Sequence, residues 1–147
     1  MATMTDQKTA EAEIGALLEG WLEAYRAKNA EGVLAHQTGD FVQFSLAPPL
    51  ISRDADAAGL NRWFATWKGS LGFEIRDLDL TVGGDVAFGH CLTRLSGTTA
   101  EGEEASLWFR QTLGFRRLGG AWRIAHQHES VPFYMDGSFK ASIDLAP

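Results

Sequence analysis

Two histidines and a serine recur at alternate positions near the end of the sequence and could carry chemistry. His126, His128 and Ser130 continue the phase of Trp122 and Ile124, so a β-strand here would place all five on one face. An apolar face that turns polar is typical of a pocket floor, and the two imidazoles would lie about 7 Å apart along the strand. Because imidazole titrates near neutral pH, we predict that His126 and His128 are catalytic and that Ser130 contacts the substrate. The alternative interpretation is a hydrogen-bonded histidine pair that braces the neighbouring glutamate or the tail.

A hairpin turn at Gly119-Gly120 sets the register of this strand against the preceding one. A symmetric turn pairs His128 with Gln111 and Glu129 with Arg110. Gln111 then joins the histidines as a substrate contact, whereas Arg110 forms a cross-strand ion pair on the other face. One bulge would exchange the two faces, and an arginine in the pocket would select carboxylate ligands. Both residues therefore stay candidates for substrate binding.

A third histidine, His90, could complete a zinc site with the His-x-His pair, because three neutral nitrogens and an open position suit catalytic zinc. No spacing enforces that arrangement, and His90 could equally contact substrate or lie at a subunit interface. The single cysteine, Cys91, excludes an internal disulfide and a multi-cysteine metal site. Glycine loops of the kind that bind phosphates are absent. We therefore expect neither a metal nor a cofactor.

The charge balance limits the partners of this protein. The 147 residues include thirteen basic and nineteen acidic side chains, which gives a net charge of −6. Negative charge opposes binding to nucleic-acid phosphates and to anionic membrane surfaces. No stretch approaches the roughly 20 apolar residues that span a bilayer, and the N-terminal residues lack the apolar core of a secretion signal. We expect one cytoplasmic domain over residues 1–147 that binds neither nucleic acid nor membrane.

Three helices are predicted before the long strands. Apolar residues repeat at helical spacing within residues 9–28, and Asn29 can cap a short helix that ends at about residue 36. The third helix, predicted over residues 53–68, carries Trp63 and Trp67 on one face. These tryptophans either pack on the sheet or form the lip of a pocket, so we treat them as substrate-binding candidates.

After residue 72 the apolar pattern changes from helical spacing to alternation. A phase reversal near Arg76-Asp77 indicates a β-bulge, and glycines mark the turns between long strands. The predicted strands cover residues 41–44, 72–82, 85–95, 104–118 and 121–131. Residues 132–147 have no clear period and are expected to form a capping tail. This order predicts an α+β domain in which three N-terminal helices pack on a curved, mainly antiparallel sheet.

The last strand resembles that of a known superfamily. Residues 120–133, GAWRIAHQHESVPF, are similar to the final strand of SnoaL-like and ketosteroid-isomerase-like proteins and to the end of the calmodulin-dependent kinase association domain. The order of elements over about residues 9–133 agrees with the same nuclear-transport-factor-2-like superfamily. The resemblance implies a cone-shaped fold with a pocket between the helices and the concave sheet, and frequent dimers formed through the sheet.

The resemblance leaves the reaction open, because the superfamily includes isomerases, cyclases, dehydratases, epoxide hydrolases and members that only bind or scaffold. It places the carboxylate base of steroid isomerases near Ser45, their tyrosine near Trp21 and their neutral acid near residues 112–113, where this chain carries none of these groups. We therefore predict a SnoaL-like pocket protein that binds a small, largely apolar organic molecule. If it is an enzyme, His126 and His128 would catalyse proton transfer or hydration and dehydration. The alternative is a non-catalytic dimerisation or accessory domain with a vestigial pocket, and in both cases we expect a homodimer.

Overall fold

Helices and one short strand occupy the first part of the chain, and long strands follow. The computed structural model describes residues 3–53 and 55–147; position 54, which falls inside the predicted third helix, lies outside the described residues. The helices are α1 (Met4–Arg26), α2 (Ala30–Ala35) and α3 (Ala57–Phe64). The strands are β1 (Gln37–Phe44), β2 (Trp67–Gly83), β3 (Val86–Thr99), β4 (Glu104–Leu118) and β5 (Ala121–Ser130).

Helix α1 starts earlier than the predicted residue 9 because a capping box precedes it. The Thr3 hydroxyl accepts a hydrogen bond from the Asp6 amide at 3.0 Å, and the Asp6 carboxylate accepts one from the Thr3 amide at 3.1 Å. These two bonds satisfy amides that the first helical turn leaves without partners. The buried stripe of the helix confirms the predicted apolar repeat and includes Ile14, Leu18, Trp21, Leu22 and Tyr25.

Each of the two shorter helices begins after a capping residue. Asn29 caps α2 as predicted, because its side-chain oxygen accepts from the Gly32 amide at 3.0 Å. Helix α3 is shorter than predicted and is capped by Asp56. Trp67 already belongs to β2, where it pairs with Thr99 of β3. Pairing with a distant strand therefore ends the helix although its apolar period continues in the sequence.

The five strands form one sheet in the order β1-β5-β4-β3-β2. Strand β1 runs parallel to β5, and the other neighbours are antiparallel. A register shift between Arg76 and Asp79 confirms the predicted bulge in β2, and Asp77 there has a positive φ of 58°. The three helices and the curved, mainly antiparallel sheet form the predicted α+β cone.

The core lies between the helices and one face of the sheet, which we call the inner face. Its most enclosed side chains include Ile14, Trp21, Leu113, Phe115 and Ile124, all at most 1% exposed. The opposite side of the sheet, the outer face, is not covered by a helix of the described chain. After β5, residues 132–147 form a short excursion in which Phe133 and Ala141 pair as an isolated bridge.

Candidate functional site

A bulge in the last strand decides which side chains enter the interior. Phe115 pairs with Ile124, but the next residue back on β4, Gly114, pairs with His126, so Ala125 is an extra residue on β5. A one-residue shift moves every later side chain of a strand to the opposite face. The predicted symmetric register is therefore wrong beyond Ile124.

The bulge places the two predicted catalytic histidines on the outer face. His126 Nδ1 lies 2.8 Å from the Val42 carbonyl oxygen, and His128 is exposed. Both imidazoles meet the Phe44 ring edge-on, with centroid distances of 5.1 Å. The prediction that they share a face with the buried Trp122 and Ile124 is wrong, because the bulge lies between the two groups. Their proposed role in catalysis is a separate matter and stays a prediction.

The other predicted polar contacts divide between the two faces. Arg110 lies on the outer face, and its Nε donates to Ser130 Oγ at 3.2 Å, so the predicted ion pair of Arg110 with Glu129 is wrong. His90 is exposed on the same outer face, where Asp79 is its cross-strand neighbour. Gln111 is 2% exposed on the inner face and pairs in register with Glu129. The structure therefore brings Gln111 together with a carboxylate and separates it from the histidines.

A row of polar side chains crosses the inner face from β1 to β3, and we call it the glutamine row. Gln43 Nε2 donates to Gln127 Oε1 at 2.9 Å and makes a longer bond of 3.4 Å to Glu129 Oε1. Gln127 Nε2 donates to Gln111 Oε1, and Gln111 Nε2 donates to Thr93 Oγ1 at 3.1 Å. A continuous chain of amides thus connects the Glu129 carboxylate to the core.

The Glu129 carboxyl is poised to exchange a proton. Burial raises its pKa from 4.5 to about 7, and the hydrogen bond from Gln43 offsets only part of this effect. Neither its hydrogen bonds nor the causes of its pKa include a basic side chain of the described residues. A general acid or base is most effective when its pKa lies near the working pH. Burial of the carboxyl gives Glu129 this property.

Tyr25 supplies a hydroxyl near the same carboxyl. Burial raises its pKa, and the negative charge of Glu129 raises it further, so the phenol stays protonated. The side chain is 9% exposed, and its hydroxyl is not one of the buried polar atoms that lack a hydrogen-bond partner among the described residues. Tyr25 is therefore a candidate donor to a ligand oxygen.

Aromatic side chains surround Tyr25 where α1, α3 and β2 meet. Its ring lies 6.2 Å from Trp63, 6.1 Å from Phe64 and 5.4 Å from Phe73, measured between centroids. Trp63 also contacts Trp67 at 6.2 Å, although Trp67 comes from β2 and not from the third helix as predicted. Both tryptophans are partly buried. They can border a ligand beside Tyr25, and that role stays a prediction.

Two grooves lie elsewhere on the surface. One of about 390 Å³ separates α1 from β2 and is lined by Leu18, Leu22 and Phe73 among others. The other, of about 230 Å³, lies beside β1 and includes Gln37 and Phe41. Neither is lined by the outer-face histidines or by Glu129.

Among residues 3–53 and 55–147, no three His, Cys, Asp or Glu side chains gather in an arrangement that could hold a metal ion. Across the same residues, no helix combines the length and the apolar character that crossing a membrane requires.

Sequence reasoning missed the inner-face set because it assumed an unbulged hairpin. A shift of one residue places Gln111 opposite Glu129 and puts Gln127 beside Gln43. The signal that could have revealed this register is the coincidence that glutamines then meet on three neighbouring strands. Tyr25 lies one helical turn after Trp21 on the same side of α1, and this spacing indicates a core residue without indicating a role beside Glu129.

Residues 14–134 match the family model of the SnoaL-like domain. The chain belongs to the SnoaL-like domain family. This SnoaL-like chain is 33% identical to an NTF2-like protein of unknown function from Pseudomonas putida KT2440, with a TM-score of 0.83 over 95% of this chain and 98% of the other.

Two further structures share the fold of this SnoaL-like protein. A ketosteroid isomerase-like protein from Erwinia carotovora atroseptica SCRI1043 is 24% identical, with a TM-score of 0.68 over 81% of this chain and 93% of the other. The association domain of C. elegans CaMKII is 15% identical, with a TM-score of 0.66 over 84% and 96% of the two chains. Among curated proteins, no sequence matches this chain.

Proposed function

We propose that this SnoaL-like domain binds a small, largely apolar organic molecule at the inner-face site formed by Tyr25 and Glu129, and that Glu129 transfers a proton. The carrying observation is a buried carboxyl whose pKa is raised to about 7 and whose negative charge raises the pKa of the Tyr25 phenol. Apolar and aromatic side chains around these two groups supply the binding free energy, and the polar pair fixes the orientation.

The proposed reaction needs no cofactor. The ionised Glu129 oxygen accepts a proton from the ligand, and the protonated carboxyl returns it at a neighbouring atom, so charge and atoms balance at the end of the cycle. Tyr25 donates to the ligand oxygen on which negative charge develops. The likeness to a ketosteroid isomerase-like protein supports proton transfer as the reaction type. Elimination of water from a hydroxylated ligand would also use Glu129 and Tyr25.

A thermal-shift screen of apolar ketones, alcohols and acids tests this proposal on four proteins. These are the parent, Glu129→Gln, Tyr25→Phe and the double variant His126→Ala/His128→Ala. A ligand that raises the melting temperature of the parent identifies binding by mass action. We expect the first two variants to lose this shift and the histidine variant to keep it. Loss in the histidine variant alone would show that the outer face carries the site, as first predicted from the sequence.

A second candidate function is assembly through the outer face. Val86 and Phe88 are 58% and 55% exposed there, beside the exposed His90. Apolar side chains exposed together mark interaction surfaces. We propose a homodimer through this face, in agreement with the likeness to the association domain of C. elegans CaMKII. In that arrangement His126 and His128 would lie at or near the subunit contact.

The molecular mass in solution tests the dimer. We expect the parent to sediment as a dimer and Phe88→Asp as a monomer. Leu50→Asp is the matched control, because Leu50 is 96% exposed in a loop outside the sheet. A parent protein with the mass of one chain would contradict the proposed dimer, and equal effects of the two variants would contradict the outer face as its interface.

A further inference from the structure

A break in the pairing of β1 forms one wall of the groove of about 230 Å³ beside this strand. Gln37 pairs with Ile124 of β5, and the next pair joins Val42 to His126. Residues 38–41 of β1 therefore stand opposite the single residue Ala125, and the strand bulges away from β5. The groove is lined by this stretch, by α2 and by the segment before α3, through Leu34, Gln37, Thr38, Gly39, Phe41, Arg53 and Ala55.

Two side-chain oxygens of this groove wall are buried without a hydrogen-bond partner. Gln37 and Thr38 are 9% and 8% exposed, and neither Gln37 Oε1 nor Thr38 Oγ1 has a partner among the described residues. Buried polar atoms are normally bonded, because an unpaired atom loses its hydration without compensation. The Thr38 hydroxyl helps to lower the pKa of Asp40, so Gln37 Oε1 is the clearer case. A carbonyl oxygen only accepts, and it therefore requires a donor that these residues do not supply.

The charge of the groove adds a second requirement. Arg53 is exposed at the rim, and none of the lining residues that the structure describes is acidic. Asp40 and Asp56 border the lining in sequence, but they accept hydrogen bonds from Arg116 and from the Gly59 amide. A guanidinium group binds a carboxylate through charge-assisted hydrogen bonds. The groove thus offers one positive group and one buried acceptor.

We infer that this groove is a second ligand site, which takes a small carboxylate that also carries a hydrogen-bond donor. The carboxylate pairs with Arg53, the donor satisfies Gln37 Oε1, and the rest of the ligand contacts Leu34 and Phe41. The groove is smaller than the roughly 300–1,000 Å³ of pockets for drug-sized molecules, so it fits a compact ligand. It includes neither Tyr25 nor Glu129, and the inference therefore stands or falls independently of the proposed function.

Three compounds with one carbon skeleton test both requirements: lactate, propionate and lactamide. Lactate has the carboxylate and the donor, propionate lacks the donor, and lactamide lacks the charge. Affinities are measured from backbone amide shifts in NMR titrations at neutral pH and constant ionic strength, and the same shifts locate the bound compound. We expect lactate to bind about fivefold or more tighter than propionate, which leaves the buried acceptor unpaired. Lactate should bind about tenfold or more tighter than lactamide, which loses the charge-assisted contact.

Two variants separate the two contacts. Gln37→Met should abolish the preference for lactate over propionate, and Arg53→Met should abolish the preference for lactate over lactamide. Arg62→Met is the matched control, because Arg62 is exposed on α3 outside the groove lining, and it should keep both preferences. A preference for lactate over propionate that survives in Gln37→Met would overturn the inference.

Gln37→Met also has a readout that needs no ligand. Methionine replaces the amide with a side chain of similar length and removes the unpaired oxygen, so the variant should have a higher melting temperature than the parent. Gln7→Met, at an exposed position of α1, should leave the melting temperature unchanged. A lower melting temperature of Gln37→Met would mean that the folded protein already satisfies this amide, and the groove would lose the acceptor on which the inference depends.

The remaining results are also decisive. Equal affinities of the parent for lactate and propionate would show that the groove reads no donor, and equal affinities for lactate and lactamide would show that it reads no charge. Either result contradicts the inferred ligand class. If lactate shifts no amide of the groove, the groove is not a site for such carboxylates, and the proposal for Glu129 is unaffected.

Discussion

The raised pKa of Glu129 predicts a specific dependence of folding stability on pH. A pKa raised from 4.5 to about 7 corresponds to about 3 kcal/mol, since one pKa unit is worth about 1.4 kcal/mol. Because the side chain is partly exposed, solvent screening reduces this figure, and we expect about 2 kcal/mol. The folded state binds the proton more tightly than the unfolded state does. The stabilisation that the bound proton gives to the folded state is therefore complete below pH 4.5 and is lost as the pH rises through about 7.

The variant Glu129→Gln isolates this contribution, because glutamine keeps the shape of the protonated acid and does not titrate. Urea unfolding of parent and variant at a series of pH values gives the difference in the free energy of unfolding. Other titrating groups, such as Asp40 with its pKa lowered by Arg116, act equally in both proteins and cancel. We expect the parent to lose about 2 kcal/mol relative to the variant between about pH 4.5 and pH 8. For a domain of this size that loss lowers the melting temperature by about 4–8 °C.

Parallel pH curves for the two proteins would refute the reasoning. The same conclusion would follow if a carboxyl NMR titration showed Glu129 ionising near its ordinary value of 4.5. Either result would mean that water reaches the carboxylate freely and that Glu129 is not poised for proton exchange at neutral pH.

Three further changes test the packing and the local structure, each through the free energy of unfolding in urea. Ile124→Ala should destabilise by about 2–5 kcal/mol, whereas His128→Ala on the outer face should stay within about 0.5 kcal/mol; equal losses would contradict the assignment of faces. Asn29→Ala should cost about 1 kcal/mol through the lost helix cap, and no loss would mean that another group caps α2. A Cβ at Gly89 would meet a methyl carbon of Leu80 at 2.7 Å and the Asp79 backbone oxygen at 3.1 Å, whereas one at Gly39 meets no atom within 4 Å. Gly89→Ala should therefore destabilise by about 1–3 kcal/mol and Gly39→Ala by clearly less.

Much of the fold could be predicted from the sequence because its signals are local. Asn29 caps a helix through an amide three residues away, and glycines fix the turns on both sides of β4. The bulge at Asp77 was visible because apolar side chains change phase across it, and apolar side chains strongly prefer the interior.

The candidate site could not be predicted because it depends on a bulge without such a signal. After Ala125 the strand carries His126, Gln127, His128 and Glu129, and each of these polar side chains can face either water or a hydrogen-bonded interior. Only pairing with β4 decides between the two registers, and that choice depends on the whole sheet. The predicted end of α3 was wrong for a related reason. Residues with helical spacing pair with a distant strand and therefore belong to the sheet.

Because Ala125 is an extra residue, the side chains of β5 that face the interior of the cone depend on whether the strand is bulged. As it stands, the strand presents an acid and an amide inward and two imidazoles and a hydroxyl outward. If Ala125 paired with Gly114 in an unbulged strand, every later side chain would change faces, and the two imidazoles would face the interior without any side chain being replaced. A fold built in this way can change the reactive groups that face its interior by losing a bulge, a route that substitution at the individual positions would reach only through several simultaneous changes.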